Sequence, residues 1–98
     1  MTIRHVAMFK FTPEFPQSER ERWAGLLREL PAKVPFIQNL SVGFDVLGGA
    51  RSWDAVVVCE FETLDEVRAY ADHPDHVPIG EISGPNSEVI ASVDFVLD

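Results

Sequence analysis

The chain is poor in positive charge and in cysteine. Eight lysines and arginines stand against sixteen aspartates and glutamates, for a net charge of -8. A surface so acidic repels phosphate, which excludes nucleic acid and an anionic membrane as partners. Cys59 is the single cysteine, so an internal disulfide and a thiolate cluster for zinc are both excluded. Set in the apolar run AVVVCEF, it reads as a small buried core residue. No apolar run approaches the roughly 20 residues of a membrane span. The N-terminus has a strand pattern in place of a charged region followed by an apolar signal core. These absences predict a soluble, cytoplasmic protein. At 98 residues the chain is predicted to form one domain over residues 1–98. A chain of this size buries only about two thirds of its unfolded surface, so partner burial is expected.

What is present is a regular succession of patterns. TIRHVAMFKF (residues 2–11) alternates imperfectly, with Ile3, His5, Ala7, Phe9 and Phe11 on one face and Arg4, Val6, Met8 and Lys10 on the other. Ser18 with Glu21 has capping-box spacing for a first helix. Trp23, Leu26, Leu27 and Leu30 form its apolar stripe, and Pro31 with Pro35 is expected to end or kink it. NLSVGFDVL and WDAVVVCEFE read as two antiparallel strands joined through Gly48-Gly49. Thr63 and Glu66 repeat the capping-box spacing before a second stripe of Leu64, Val67, Tyr70 and Ala71. VPIGEISGPN reads as a turn or weak helix, and SEVIASVDFVLD as a last strand.

The order is β-α-β-β-α-β, the ferredoxin-like α+β plan in which helices cover one face of a four-stranded antiparallel sheet. Its strands carry apolar residues on both faces: Val56 and Val58 oppose Val57 and Cys59, and Val6 and Met8 oppose Ala7 and Phe9. A sheet face left to water would alternate more cleanly. With no spare element to cover it, a second copy packing sheet to sheet is expected, giving a homodimer.

Four polar side chains fall where packing would not ask for them: His5 and Asp94 in strands, Tyr70 on a helical stripe, and His76 past a helix end. An aspartate inside a strand needs a partner, and an imidazole suits it. A His/Asp/Tyr group could perform acid-base chemistry on a small carbonyl compound, the histidine moving a proton and the tyrosine holding the oxygen that gains charge. The same residues also fit a core tyrosine and a structural histidine. In YADHPDHV (residues 70–77), Asp72, His73, Asp75 and His76 offer nitrogen and oxygen ligands, but a lone HxxH has neither the HExxH signature nor a third ligand. No metal and no cofactor are expected. Arg51 and Trp53, beside the glycine loop, could touch a ligand, although a solvated loop tip is the ordinary reading for Arg51.

IRHVAMFKF, FIQNLSVGFDV, WDAVVVCEFETLDEVRAYADHPDHV and VDFVL together resemble the stress-responsive A/B barrel domain family, known as Dabb. The resemblance implies a ferredoxin-like protomer whose sheet packs on its mate's to make a dimeric α/β barrel. The family is functionally mixed, ranging from stress proteins to a plant polyketide cyclase. By similarity to that branch, His76 is the general acid/base, Asp94 the aspartate supporting it, Tyr70 the substrate anchor and His5 a pocket histidine. Leu27 stands where the branch has a pocket tyrosine, and Leu27 with Trp23 is expected to bind substrate. Two functions are open on this reading: a dimeric enzyme for a small poly-carbonyl or aromatic compound, or a non-catalytic stress-response dimer.

Overall fold

The computed structural model describes residues 1–97. It runs β1 (Thr2–Phe11), α1 (Gln17–Lys33), β2 (Asn39–Phe44), β3 (Ala55–Phe61), α2 (Leu64–Ala71), α3 (Val77–Ser83) and β4 (Ser87–Leu97). The strands form one antiparallel sheet in the order β2-β3-β1-β4. This is the expected ferredoxin-like fold, and the segment read as a turn or weak helix forms the short α3.

Period-two alternation fixes which side of each central strand is buried. Ile3, Ala7, Phe9 and Phe11 of β1 and Ala55, Val57, Cys59 and Phe61 of β3 are all buried, beneath Trp23, Ala24, Leu27 and Leu30 of α1. The core is strongly aromatic at one end. The Trp23 ring stands edge-on to Phe9 at 4.9 Å and to Phe11 at 5.5 Å, and Phe15 closes on Phe11 at 4.9 Å. Such edge-to-face pairs add about 0.5–1.5 kcal/mol each beyond the area they bury.

One local expectation for α1 is corrected and another is made more specific. Ser18 is not its cap: the helix begins at Gln17 on Pro16, whose carbonyl accepts from the amides of Glu19 and Arg20 at 3.0 Å each. Pro16 has extended backbone angles with the φ its ring imposes, which places the boundary two residues before the serine. Of the two prolines expected to end or kink the helix, Pro31 lies inside it and Pro35 follows its end: the helix continues to Lys33 and closes with the Val34 amide on the Leu30 carbonyl at 2.8 Å. So near the C-terminus the missing proline donor costs one hydrogen bond, and burial of Leu30 and Val34 on the core outweighs it. At α2 the capping expectation holds: Thr63 Oγ1 accepts from the Glu66 amide at 3.2 Å, while Glu66 Oε1 accepts from the Glu62 amide at 2.9 Å. Between β2 and β3, Gly48 takes a positive φ of 67°, a conformation that favours glycine, and donates to Asp45 Oδ2 at 2.7 Å.

The second face of the sheet carries no helix. Val6 lies between Val58 and Val93 in register, Met8 between Val56 and Ala91, and Arg4 between Glu60 and Phe95. Val93 is 60% exposed and Phe95 41%, an apolar surface interrupted by the Arg4–Glu60 ion pair, with Nε to Oε2 at 2.9 Å. Contiguous apolar area of this kind marks an interaction surface. No helix among the described residues is long and apolar enough to cross a membrane.

Candidate functional site

On the helix side, the sheet and its covering helices do not close completely. They leave a cavity of about 250 Å³ whose walls come from β1, α1, α2, α3 and β4. Trp23 and Leu27, both buried, form its α1 wall. His5, Tyr70 and His76 supply its principal polar surface. Tyr70 is central: its ring lies 4.3 Å from that of His76 and 6.0 Å from that of His5. Of the expected site residues, His5, Trp23, Leu27, Tyr70 and His76 therefore line one cavity, and Asp94 stands directly behind His5.

The structure changes the assignment of Asp94. It was expected beside His76; instead its Oδ1 lies 2.6 Å from His5 Nδ1. The reason is register, since His5 and Asp94 are direct partners across the β1–β4 ladder and side chains directly opposite share a face. His76 has a different support: its Nδ1 lies 3.1 Å from the Ala71 carbonyl. A carbonyl only accepts, so Nδ1 carries the proton and Nε2 holds the lone pair of the neutral ring. His73 turns away from this group. Its Nδ1 accepts from the Asp75 amide at 3.1 Å and its ring lies edge-on to Phe36 at 6.3 Å, so the two histidines of the HxxH sequence have separate roles.

The surroundings also set the proton affinities. Burial holds His76 below its ordinary value; the Ala71 carbonyl opposes this, while the charges of His5 and His73 reinforce it. His76 is accordingly a neutral base at pH 7. Burial pushes the Tyr70 phenol well above its ordinary value, and the adjacent Cys59 thiol acts in the same direction. Tyr70 therefore keeps its proton and acts as a donor. The Cys59 thiol is itself pushed up to about 11 by burial, with Tyr70 opposing and the Asp94 charge adding. As a thiol so protonated it is a poor nucleophile.

A pH dependence follows from His76. In the unfolded chain a histidine takes up its proton near pH 6.5, whereas the folded corner resists charging. The unfolded state thus binds more protons below that pH, and stability falls as pH drops from about 6.5 toward the lower folded value. Urea denaturation between pH 7.5 and 5 should show this decline, and His76→Gln should flatten it; an unchanged slope in the variant would assign the effect elsewhere.

Sequence patterning missed the rest of the cavity wall. Ile79, Gly80 and Ser83 come from α3, and Ile90 and Ser92 from β4. The β4 pair was accessible in principle, because Ile90, Ser92 and Asp94 alternate on the face that meets Phe9, Ala7 and His5. The α3 contribution was hidden by Pro78, Gly80 and Gly84, which read as breakers. Arg51 and Trp53 lie elsewhere, in a separate depression with Met8, Gly43 and Val56 at the end of the uncovered sheet face.

The model of the stress responsive A/B barrel domain matches residues 3–97. The chain belongs to this Dabb family. A dimeric ferredoxin-like protein of unknown function from Thermobifida fusca is 34% identical, with TM-score 0.89 over 99% of this chain and 92% of its own. A dimeric ferredoxin-like protein of unknown function from Bacteroides fragilis is 31% identical, with TM-score 0.88 over 98% of this chain and 96% of its own. Among curated proteins, olivetolic acid cyclase of Cannabis sativa is 24% identical over 84 residues, covering 84% of this chain and 83% of the relative. Within the Dabb fold the sheet-and-helix cavity and the uncovered sheet face thus lie on opposite sides of one four-stranded sheet.

Proposed function

We propose that this Dabb protein is a homodimer, packed sheet to sheet, that binds a small carbonyl or aromatic compound in the cavity and moves a proton with His76. The observation that carries the reading is the contact of His76 Nδ1 with the Ala71 carbonyl: a carbonyl only accepts, so Nδ1 holds the proton and the basic Nε2 belongs to a neutral ring lining the cavity beside Tyr70. The similarity to a cyclase and the dimeric relatives support it.

In the proposed step Nε2 takes a proton from a carbon next to a carbonyl. The C–H electron pair becomes the new C=C bond and the carbonyl π pair moves to oxygen, making an enolate. Tyr70 donates to that oxygen, leaving its contact with the Cys59 sulfur, a weak acceptor whose loss costs little. Returning the proton regenerates neutral His76. Asp94 touches neither the carbon nor the oxygen in this scheme and is a positioning residue for His5.

The test is exchange of the methyl protons of 4-hydroxyacetophenone in D2O, followed by proton NMR. General base catalysis contributes on the order of 10²–10⁴-fold. Wild-type protein should accelerate exchange, His76→Ala should return it to the buffer rate, and Tyr70→Phe should lower it while leaving the fold intact. Acceleration that survives His76→Ala would sink the assignment. A second reading rests on the same His76–Ala71 contact: the imidazole pins the corner between α2 and α3 in a non-catalytic stress-response dimer. On that reading His76→Ala lowers the melting temperature and wild-type protein gives no exchange above buffer.

A further inference from the structure

We propose that the cavity selects uncharged ligands about the size of one substituted ring, and that the Asp94–His5 pair is what turns carboxylates away. This rests on the reading that the cavity binds a small compound, and it narrows the class of compound.

The charge rule follows from what surrounds the cavity. Among the described residues no arginine or lysine lines it. The arginines next to lining residues in sequence have partners elsewhere: Arg4 pairs with Glu60 on the other sheet face, Arg22 with Glu19 at 3.3 Å and Arg68 with Asp65 at 3.1 Å, and Arg28 donates to the Val42 carbonyl at 3.4 Å. The two imidazoles do not supply a free positive charge in their place. His76 is neutral and presents a lone pair, which repels an anionic oxygen. The Nδ1 of His5 faces the Asp94 carboxylate at 2.6 Å, so that ring offers no unmatched positive charge. An anion entering the cavity would shed its hydration without a countercharge, and burial of an unpaired charge is strongly unfavourable. An uncharged ketone, enol or phenol meets the opposite situation: Tyr70 O–H donates to its oxygen and His76 Nε2 accepts from its acidic hydrogen. The protein's overall charge of -8 adds a long-range bias in the same direction.

The size rule follows from the volume. About 250 Å³ lies below the roughly 300–1,000 Å³ of clefts that take drug-sized ligands. Trp23 and Leu27 close the α1 end, and both are buried side chains packed into the core, so they do not swing aside to lengthen the cavity.

Three probes separate these rules. 4-Hydroxyacetophenone and 4-hydroxybenzoate share a ring and a hydroxyl and differ in acetyl against carboxylate; 4-hydroxybenzophenone is uncharged but has two rings. Each is titrated into the intact protein at pH 7.5, and the imidazole resonances of His5 and His76 are followed by NMR. The acetophenone should bind at least about tenfold more tightly than the benzoate, and the benzophenone should leave both histidines unmoved. Asp94→Asn keeps an acceptor for His5 Nδ1–H but removes the negative charge, so it should raise benzoate affinity severalfold relative to that of the acetophenone. Equal affinity for the ketone and the carboxylate in wild-type protein, or an Asp94→Asn variant with the wild-type ratio, overturns the charge rule. Binding of the benzophenone overturns the size rule. Silence from all three probes overturns the binding reading itself, and this proposal with it.

Discussion

Val6→Asp is expected to turn the proposed dimer into a monomer, read as a halved mass in sedimentation equilibrium with an unchanged far-UV spectrum. Val6 lies at the centre of the uncovered sheet face, between Val58 and Val93. In a lone protomer a carboxylate there stays hydrated, so folding should survive. In a two-fold, sheet-to-sheet interface the substitution places two like charges in one dry layer. The effective desolvation penalty is several kcal/mol per ion, and each ~1.4 kcal/mol is a factor of ten in affinity, so dimer affinity should fall by orders of magnitude and not by fractions. A Val6→Asp protein that still sediments as a dimer would place the interface on another surface. The Arg4–Glu60 pair on the same face predicts a milder companion effect: it is already neutralised within one protomer, so it need not oppose association.

Trp23→Ala should produce the largest loss of stability, about 3–5 kcal/mol by the usual cost of truncating a buried aromatic. Trp23 is 1% exposed and joins the Phe9 and Phe11 rings of β1 to α1. The loss is comparable with the whole stability of many domains, about 5–15 kcal/mol. Urea denaturation measures it directly, and Trp23→Phe, which keeps a ring in place, should recover much of the difference. A cost below about 1 kcal/mol would mean that the aromatic cluster is not the principal core. Because Trp23 also walls the cavity, the folded fraction of Trp23→Ala should admit 4-hydroxybenzophenone, which the wild-type cavity excludes on size.

The architecture was legible because its signals are local and repeat. Ala55, Val57, Cys59 and Phe61 bury at strict two-residue spacing, and Ile3, Ala7, Phe9 and Phe11 keep the same alternation around a half-buried His5, so the covered face could be read before any contact was known. The second apolar face was legible for the same reason. Tyr70 and His76 were marked by being polar where a stripe or a helix end needed no polarity. The partner of Asp94 was not legible. His5 and Asp94 stand 89 positions apart, and only the β1–β4 register, which includes a shift between Lys10 and Phe11, decides that they meet. The support of His76 was hidden differently, since its partner is a main-chain oxygen and every residue type carries one. At α1, Pro16 and Pro31 show tertiary burial and fixed φ overriding the simpler rules for caps and breakers.

The two imidazoles of the cavity consequently differ in how open they are to change by mutation. The proton on His76 is directed by the carbonyl of Ala71, an atom that no substitution at position 71 removes. The proton on His5 is directed by the side chain of Asp94, which a single codon can replace. Substitution can thus remove the partner of His5 but not the partner of His76, whose orientation is set by the backbone trace itself.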